Sequence, residues 1–374
     1  MSIISPDCGP RFGYHPPVAD LATRADIGQL LWVGFDGTEA PAPLLARIAA
    51  GDVGAAILFA RNIQDIDQLT RLIAALHDAA PADPLLVALD QEGGRVQRVR
   101  APATVWPPML RLGEHPDADA LAEPVGRALG DELAALGFDV DFAPVLDVLT
   151  NPENPVIGDR AFATTPERVA TLAGAFARGL AAAGVIPCGK HFPGHGDTHL
   201  DSHLALPRVD QPAERLRSVE LAPFAALPDL PLLMTAHVVF PAFDEVPATL
   251  STRILGDILR RELGYRGVVL SDDMEMKAIA DHFGIADASV RAIRAGCDGL
   301  LLCHAEALQH EVHGALVRAA EKDSGLRARI GEAAARVRAL KQRHRDGWRA
   351  RPRPGLDRLG ANTALAERIC ERRG

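Results

Sequence analysis

Residues 186–203 read I-P-C-G-K-H-F-P-G-H-G-D-T-H-L-D-S-H. Lys190, His191, His195, His199 and His203 stand there with Asp197 and Asp201 among prolines and glycines, the composition of a loop that carries function. His191, His195, His199 and His203 recur at every fourth position, which on a helix would align four imidazoles on one face as a metal site. Pro193, Gly194 and Gly196 argue against that helix, because an interior proline costs about 3 kcal/mol and a glycine about 1. The expected arrangement is a short apolar strand at 185–188 that leaves regular structure at Gly189 and becomes an irregular loop. Where the loop's end is extended, Asp201 and His203 share a side. The carboxylate can then hold one imidazole nitrogen and leave the other for proton transfer.

Further reactive groups stand just after apolar runs: Asp36, Arg61, Asp90, Asp147, Lys190, His237, Asp272 and His304. They supply carboxylates, a lysine and arginines, without an acidic cluster arranged for a hard cation. Glycoside hydrolysis fits this set, since it needs a carboxylate on one side of the anomeric carbon and a proton donor near the leaving oxygen. Asp272 is the candidate nucleophile. Pattern alone does not separate it from Asp273, whose other reading is a helix-start acid or hydrogen-bond anchor. His203 would act as general acid and then base, oriented by Asp201, because an imidazole of reference pKa about 6.5 serves both steps near neutral pH. Asp90, Arg98, Arg160, Lys190 and His191 can hold sugar hydroxyls by charge-assisted hydrogen bonds; structural ion pairs are the other reading of the two arginines. Trp106 and Phe192 are candidate stacking platforms, with packing as the alternative.

These residues need elements to carry them. Apolar runs at 27–35, 55–60, 85–89, 138–145, 185–188, 231–235, 267–270 and 299–302 read as strands. Between them lie helical patterns at 41–50, 65–79, 119–136, 166–183, 216–227, 252–263 (with Ser251 as N-cap) and 285–295, and helices fill the remainder. Eight such repeats predict an α/β fold, a single (β/α)8 TIM barrel at residues 25–342. A proline-rich N-terminal arm (1–24) precedes it, and a basic, helical C-terminal tail (343–374) follows. In a barrel the strand ends share one rim, which would gather the groups named above. A doubly wound open sheet is the competing fold, but Asp36-Gly37-Thr38-Glu39 after the first strand lacks its glycine-rich phosphate fingerprint.

Over 374 residues the net charge is −9, which argues against a nucleic-acid partner. No run approaches the roughly 18 apolar residues of a membrane span, and the N-terminus lacks the pattern of a secretory signal, so a cytoplasmic location is the default. Cys8, Cys188, Cys297, Cys303 and Cys370 are odd in number and form no C-x-x-C pair, so neither a disulfide framework nor a zinc ribbon is expected.

Four stretches carry a resemblance: residues 190–203, L-D-Q-E-G-G-R-V-Q-R (89–98), N-P-V-I-G-D-R-A-F (154–162) and G-V-V-L-S-D-D-M-E-M (267–276). Together they resemble the bacterial β-N-acetylglucosaminidases of glycoside hydrolase family 3, the peptidoglycan-recycling β-hexosaminidases, over roughly positions 27 to 340. The resemblance implies a single barrel and retaining exo-hydrolysis through a covalent glycosyl-enzyme intermediate. It makes Asp272, the first of the two aspartates, the nucleophile, His203 the acid/base and Asp201 its partner. Asp90, Arg98, Arg160, Lys190 and His191 match positions that bind the terminal N-acetylglucosamine. The implied substrate is the N-acetylglucosamine-1,6-anhydro-N-acetylmuramyl peptide of cell-wall recycling, with no metal or organic cofactor. A monomer is the expected state. A neutral imidazole repels an incoming anion less than a carboxylate does, so phosphate is a candidate competitor of water as acceptor. The absence of glycosyl phosphate among products formed in phosphate buffer would dispose of that idea. Two rival readings are a metal-dependent hydrolase on the same barrel, separated by metal analysis and chelation, and a non-catalytic sugar-binding protein. Against the second, Asp272, Asp201 and His203 are all present.

Overall fold

A computed structural model describes residues 21–80, 84–199, 206–349 and 354–371. Eight apolar segments pair in parallel and close on themselves: β1 (Leu31–Val33), β2 (Ala55–Ile57), β3 (Leu86–Leu89), β4 (Val140–Asp141), β5 (Ile186–Phe192), β6 (Leu232–Thr235), β7 (Val268–Asp273) and β8 (Gly299–Leu302). Each strand lies beside its successor, and β8 returns to β1 with Leu31 opposite Leu300. Side chains alternate across this sheet. Trp32, Ile57, Leu86, Val140, Met234 and Leu270 fill the barrel interior, whereas Leu31, Val33, Val87, Leu89 and Val269 pack outward beneath the helices. Burial of both faces is why these strands read as continuous apolar runs.

The helices that cover the sheet are α1 (Leu21–Leu30), α2 (Ala42–Ala49), α3 (Ile66–Asp78), α4 (Ala118–Leu136), α5 (Pro166–Ala183), α6 (Arg253–Glu262), α7 (Ile285–Ala295), α8 (Glu306–Lys322) and α9 (Ser324–His344). Local sequence explains their starts. Asp65 caps α3 by accepting the Gln68 N–H at 2.7 Å, and Leu69, Leu72, Ile73 and Leu76 then bury one face. Ser251 caps α6 as expected, its Oγ accepting the Ile254 N–H at 3.0 Å. Among the described residues no helix is long and apolar enough to cross a membrane.

Several expectations are corrected. The run 27–35 is not one strand, because its first part completes α1 and only Leu31–Val33 pairs in the sheet. Ile27 and Leu30 are fully buried, and an apolar run that crosses from helix to strand carries no periodicity to divide it. The boundary at 24/25 falls inside α1, and that at 342/343 falls inside α9. Both helices belong to the body of the fold: Arg338 of α9 pairs with Asp26 at 2.5 Å, and Lys341 Nζ donates to Gln29 Oε1 at 2.7 Å. Val337 and Leu340 join the interior cluster, so α9 closes the N-terminal end of the barrel. The helix expected at 216–227 is two pieces, Ala213–Ser218 and Ala222–Ala226. Pro223 cannot continue an incoming helix, and Glu220 between them is buried against Arg215 at 2.9 Å.

Candidate active site

The C-terminal ends of the strands surround a cavity of about 320 Å³. Asp90 follows β3 directly, and the hairpin Gln91–Gly93 with Val96–Gln97 then folds back over it. Gln91 braces that hairpin. Its Nε2 donates to the Val99 carbonyl at 2.7 Å, and its Oε1 accepts the N–H groups of Arg98 and Val99 at 2.8 and 3.0 Å. The return brings Arg98 Nη2 to Asp90 Oδ2 at 3.0 Å.

β5 enters from the other side and runs further than the sequence reading has it. Gly189 does not end the strand. A Cβ there would lie 2.7–2.9 Å from the side chains of Leu146, Leu230 and Leu233, so this glycine answers to packing, and the strand continues to Phe192 across a register shift against β6. Lys190 and His191 thus sit on a rigid strand. Lys190 Nζ lies 2.7 Å from Asp90 Oδ1 and 2.6 Å from Glu92 Oε1. Arg160, at the end of the turn Gly158–Arg160, completes the line with Nε and Nη2 each 2.8 Å from a Glu92 oxygen. This bidentate fork is the strongest geometry for the pair.

Arg98, Asp90, Lys190, Glu92 and Arg160 therefore alternate in sign along one wall. Burial alone would raise the carboxyls of Asp90 and Glu92. The cations beside them outweigh it, taking Asp90 well below the usual range and Glu92 down to about 2. Beneath them, burial pushes the Asp141 carboxyl well above the usual carboxylate range, against one backbone hydrogen bond from Gln91.

The second wall is built on Asp147, which is fully buried. Its Oδ2 accepts from His191 Nδ1 at 2.7 Å, and its Oδ1 accepts the N–H groups of His191 and His195 at 3.2 and 2.6 Å. The other ring nitrogen of His191, Nε2, lies 3.5 Å from Arg160 Nη2. His195 packs edge-on to His191 at 5.8 Å and is pushed down to about 4 by burial and then by His191.

Asp272, the last residue but one of β7, continues the inward alternation of Val268 and Leu270 and lines the same cavity; its Oδ1 accepts the Asp273 N–H at 2.8 Å. Asp273 is an anchor. Its Oδ1 accepts the N–H groups of Glu275 and Cys303 at 3.1 and 3.3 Å. Its Oδ2 stands 3.4 Å from His304 and holds that imidazole's pKa above the usual value.

Asp90, Arg98, Arg160, Lys190, His191 and Asp272 are thus gathered in one cavity, whereas Asp201 and His203 lie outside the described residues. Of the other predicted rim groups, His304 lines the cavity. Asp147 and His237 are buried behind it, the latter with Nε2 3.0 Å from the Asp273 carbonyl. Asp36 is 82% exposed and pairs with Arg61 at 2.8 Å outside it. Trp106 and Phe192 are packing residues, 1% and 0% exposed. The phenylalanines that do line the cavity are Phe142 and Phe59, the latter with Arg61 4.4 Å from its ring centre. Glu92 escaped the sequence reading; its place two residues after Asp90 was the available signal. The stretch after His191 does not continue as a helix, and among the described residues no group of three or more His, Cys, Asp or Glu side chains is placed to hold a metal ion.

Residues 22–340 match the glycosyl hydrolase family 3 N-terminal domain. A β-hexosaminidase of Pseudomonas aeruginosa is 45% identical over 271 residues, covering 71% of this chain and 80% of that protein. β-Hexosaminidase A of Pseudoalteromonas piscicida is 42% identical over 287 residues, again 71% of this chain but only 48% of the relative, so the chain spans about half of that longer protein. Among solved structures, a glycoside hydrolase family 3 β-N-acetylglucosaminidase from Paenibacillus sp. str. FPU-7 superposes with a TM-score of 0.85 at 40% identity, over 92% of this chain and 68% of that one. With the barrel closed, the strand-end cavity assembled and the family domain matched over residues 22–340, the chain belongs to glycosyl hydrolase family 3.

Proposed function

We propose that the protein is a retaining exo-β-N-acetylglucosaminidase that releases terminal N-acetylglucosamine from peptidoglycan fragments, N-acetylglucosamine-1,6-anhydro-N-acetylmuramyl peptides, in the cytoplasm as a monomer. The observation that carries this reading is the meeting of Asp272 with Asp90, Arg98, Arg160, Lys190 and His191 in one cavity of about 320 Å³. That is at the small end of ligand sites, which run about 300–1,000 Å³, and fits one monosaccharide. The names of the relatives agree with the sugar.

In this mechanism the charged wall grips the sugar hydroxyls. An Asp272 oxygen attacks the anomeric carbon while His203, oriented by Asp201, gives its proton to the leaving oxygen as the glycosidic bond breaks. A water then attacks the same carbon, His203 takes its proton, and Asp272 leaves as carboxylate. The chemistry uses side chains and water alone. A fluorinated N-acetylglucosaminide that hydrolyses slowly should trap the intermediate, and peptide mass spectrometry should find the label on Asp272. A label on any other residue sinks the assignment. Release of N-acetylglucosamine from a purified anhydromuropeptide tests the proposed substrate separately.

A further inference from the structure

The motif at 154–162 opens with an asparagine that the mechanism above does not use. Asn154 is 5% exposed. Its Oδ1 accepts the N–H groups of Val156 and Ile157 at 2.9 and 2.8 Å, shaping the turn that delivers Arg160. Its Nδ2 donates the opposite way, to the carbonyls of His195 and Gly196 at 2.8 and 3.0 Å and to Thr198 Oγ1 at 3.2 Å. One planar amide therefore joins two strand-end loops. Val156 and Arg160 on one, and His195 on the other, line the cavity.

The seam between these loops has no slack. A Cβ on Gly196 would lie 1.7 Å from the Val148 carbonyl oxygen, and Asn151 Nδ2 donates to the Thr198 carbonyl at 2.9 Å. Thr198 adds a second link. Its hydroxyl donates to the His195 carbonyl at 3.1 Å, so its lone pairs take the Asn154 amide and His195 Nδ1–H, the latter at 2.8 Å. The orientation of the His195 ring thus depends on the same amide.

We propose that Asn154 is a positioning residue that sets the spacing between the Arg160 wall and the His191–His195 wall of the sugar cavity. Its kinetic consequence rests on the glycosidase reading; its geometry does not. The chemical requirement is an acceptor and a donor on opposite edges of one short group, which an amide supplies and a carboxylate does not. Aspartate has nearly the same shape, yet it would aim an anionic oxygen at two carbonyl oxygens.

The test compares wild type, Asn154→Asp and Thr198→Val as full chains. Hydrolysis of p-nitrophenyl N-acetyl-β-glucosaminide is measured well below each melting temperature, and the imidazole nitrogens of His195 are read by NMR without substrate. Asn154→Asp should lower kcat/KM roughly 100-fold, the scale set by about 1 Å of misplacement. Thr198→Val should lower it less, and the His195 Nδ1 signal should shift in both. A kcat/KM within about threefold of wild type overturns the proposal, as does lost activity with an unmoved His195 signal, which would mark a purely structural role. If Asn154→Asp does not fold, Thr198→Val decides by the same two criteria. If wild type itself releases no nitrophenolate, the glycosidase reading fails, and the His195 signal alone decides the positioning role, unmoved against it and shifted for it.

Discussion

Both ends of the barrel carry aspartates beside strands, and they use them oppositely. At the N-terminal end, Asp139 and Asp298 immediately precede β4 and β8 and are fully buried. Asp298 accepts the Val269 N–H at 3.0 Å together with Arg260, Arg329 and Arg336 at 2.7, 2.6 and 3.1 Å. Asp139 accepts the Val87 N–H at 2.9 Å and His344 Nε2 at 2.8 Å. Their side-chain partners sit mostly on α6 and α9, so the charge ties helices to strand ends. At the C-terminal end, Asp90 follows β3 and Asp272 is the last residue but one of β7; both border open space, and the cations that hold Asp90 border it too. The same residue type serves cohesion where its partners are enclosed and recognition where they face a cavity.

This contrast can be broken. Replacing Asp272 with asparagine should cut release of nitrophenolate from the N-acetyl-β-glucosaminide by about 1000-fold or more while leaving the urea midpoint nearly in place. Glu92→Ala strikes both properties. It strips Arg160 of its carboxylate and leaves Lys190 with Asp90 alone, so kcat/KM should fall about 100-fold and stability by roughly 3–5 kcal/mol, the usual cost of breaking a buried pair. Asp298→Ala should match that stability loss, again about 3–5 kcal/mol, yet leave kcat and KM of the folded protein unchanged; a large kinetic effect would erase the distinction between the two ends.

Acid titration sharpens the comparison. Glu92 is held at about 2 against an ordinary 4.5, so the folded state binds fewer protons than the unfolded one between those values. Its stabilising share is complete above pH 4.5 and disappears as pH falls through 2. In urea melts, the gap between wild type and Glu92→Gln should therefore narrow across that window. The smallest effect belongs to Asp141. Burial raises its pKa, so the folded state holds this proton more tightly than the unfolded one and loses stability as pH rises through the raised value. The urea midpoint of Asp141→Asn relative to wild type should therefore climb as pH rises from about 4, with activity within about twofold; a difference that does not change with pH would count against the raised pKa.

The barrel was legible because both faces of its sheet are buried and its strands announce themselves as apolar runs separated by helical periodicity. The candidate site was legible through strand-end position for Asp90, Lys190 and Asp272, and through motif likeness for Arg98, Arg160 and His191. Glu92 and Asn154 were not, because their importance lies in partners distant in sequence: Lys190 and Arg160 for one, residues 195–198 for the other. Gly189 misled for a related reason. A glycine required by neighbouring leucines looks, in one dimension, like a strand breaker.

Val337 and Leu340 reach into the barrel from α9, near the end of the family domain. A nascent chain leaving the ribosome thus holds all eight strands by residue 302 and still lacks the stopper for their lower mouth. Protease resistance of truncated chains should rise sharply only once translation has passed residue 344.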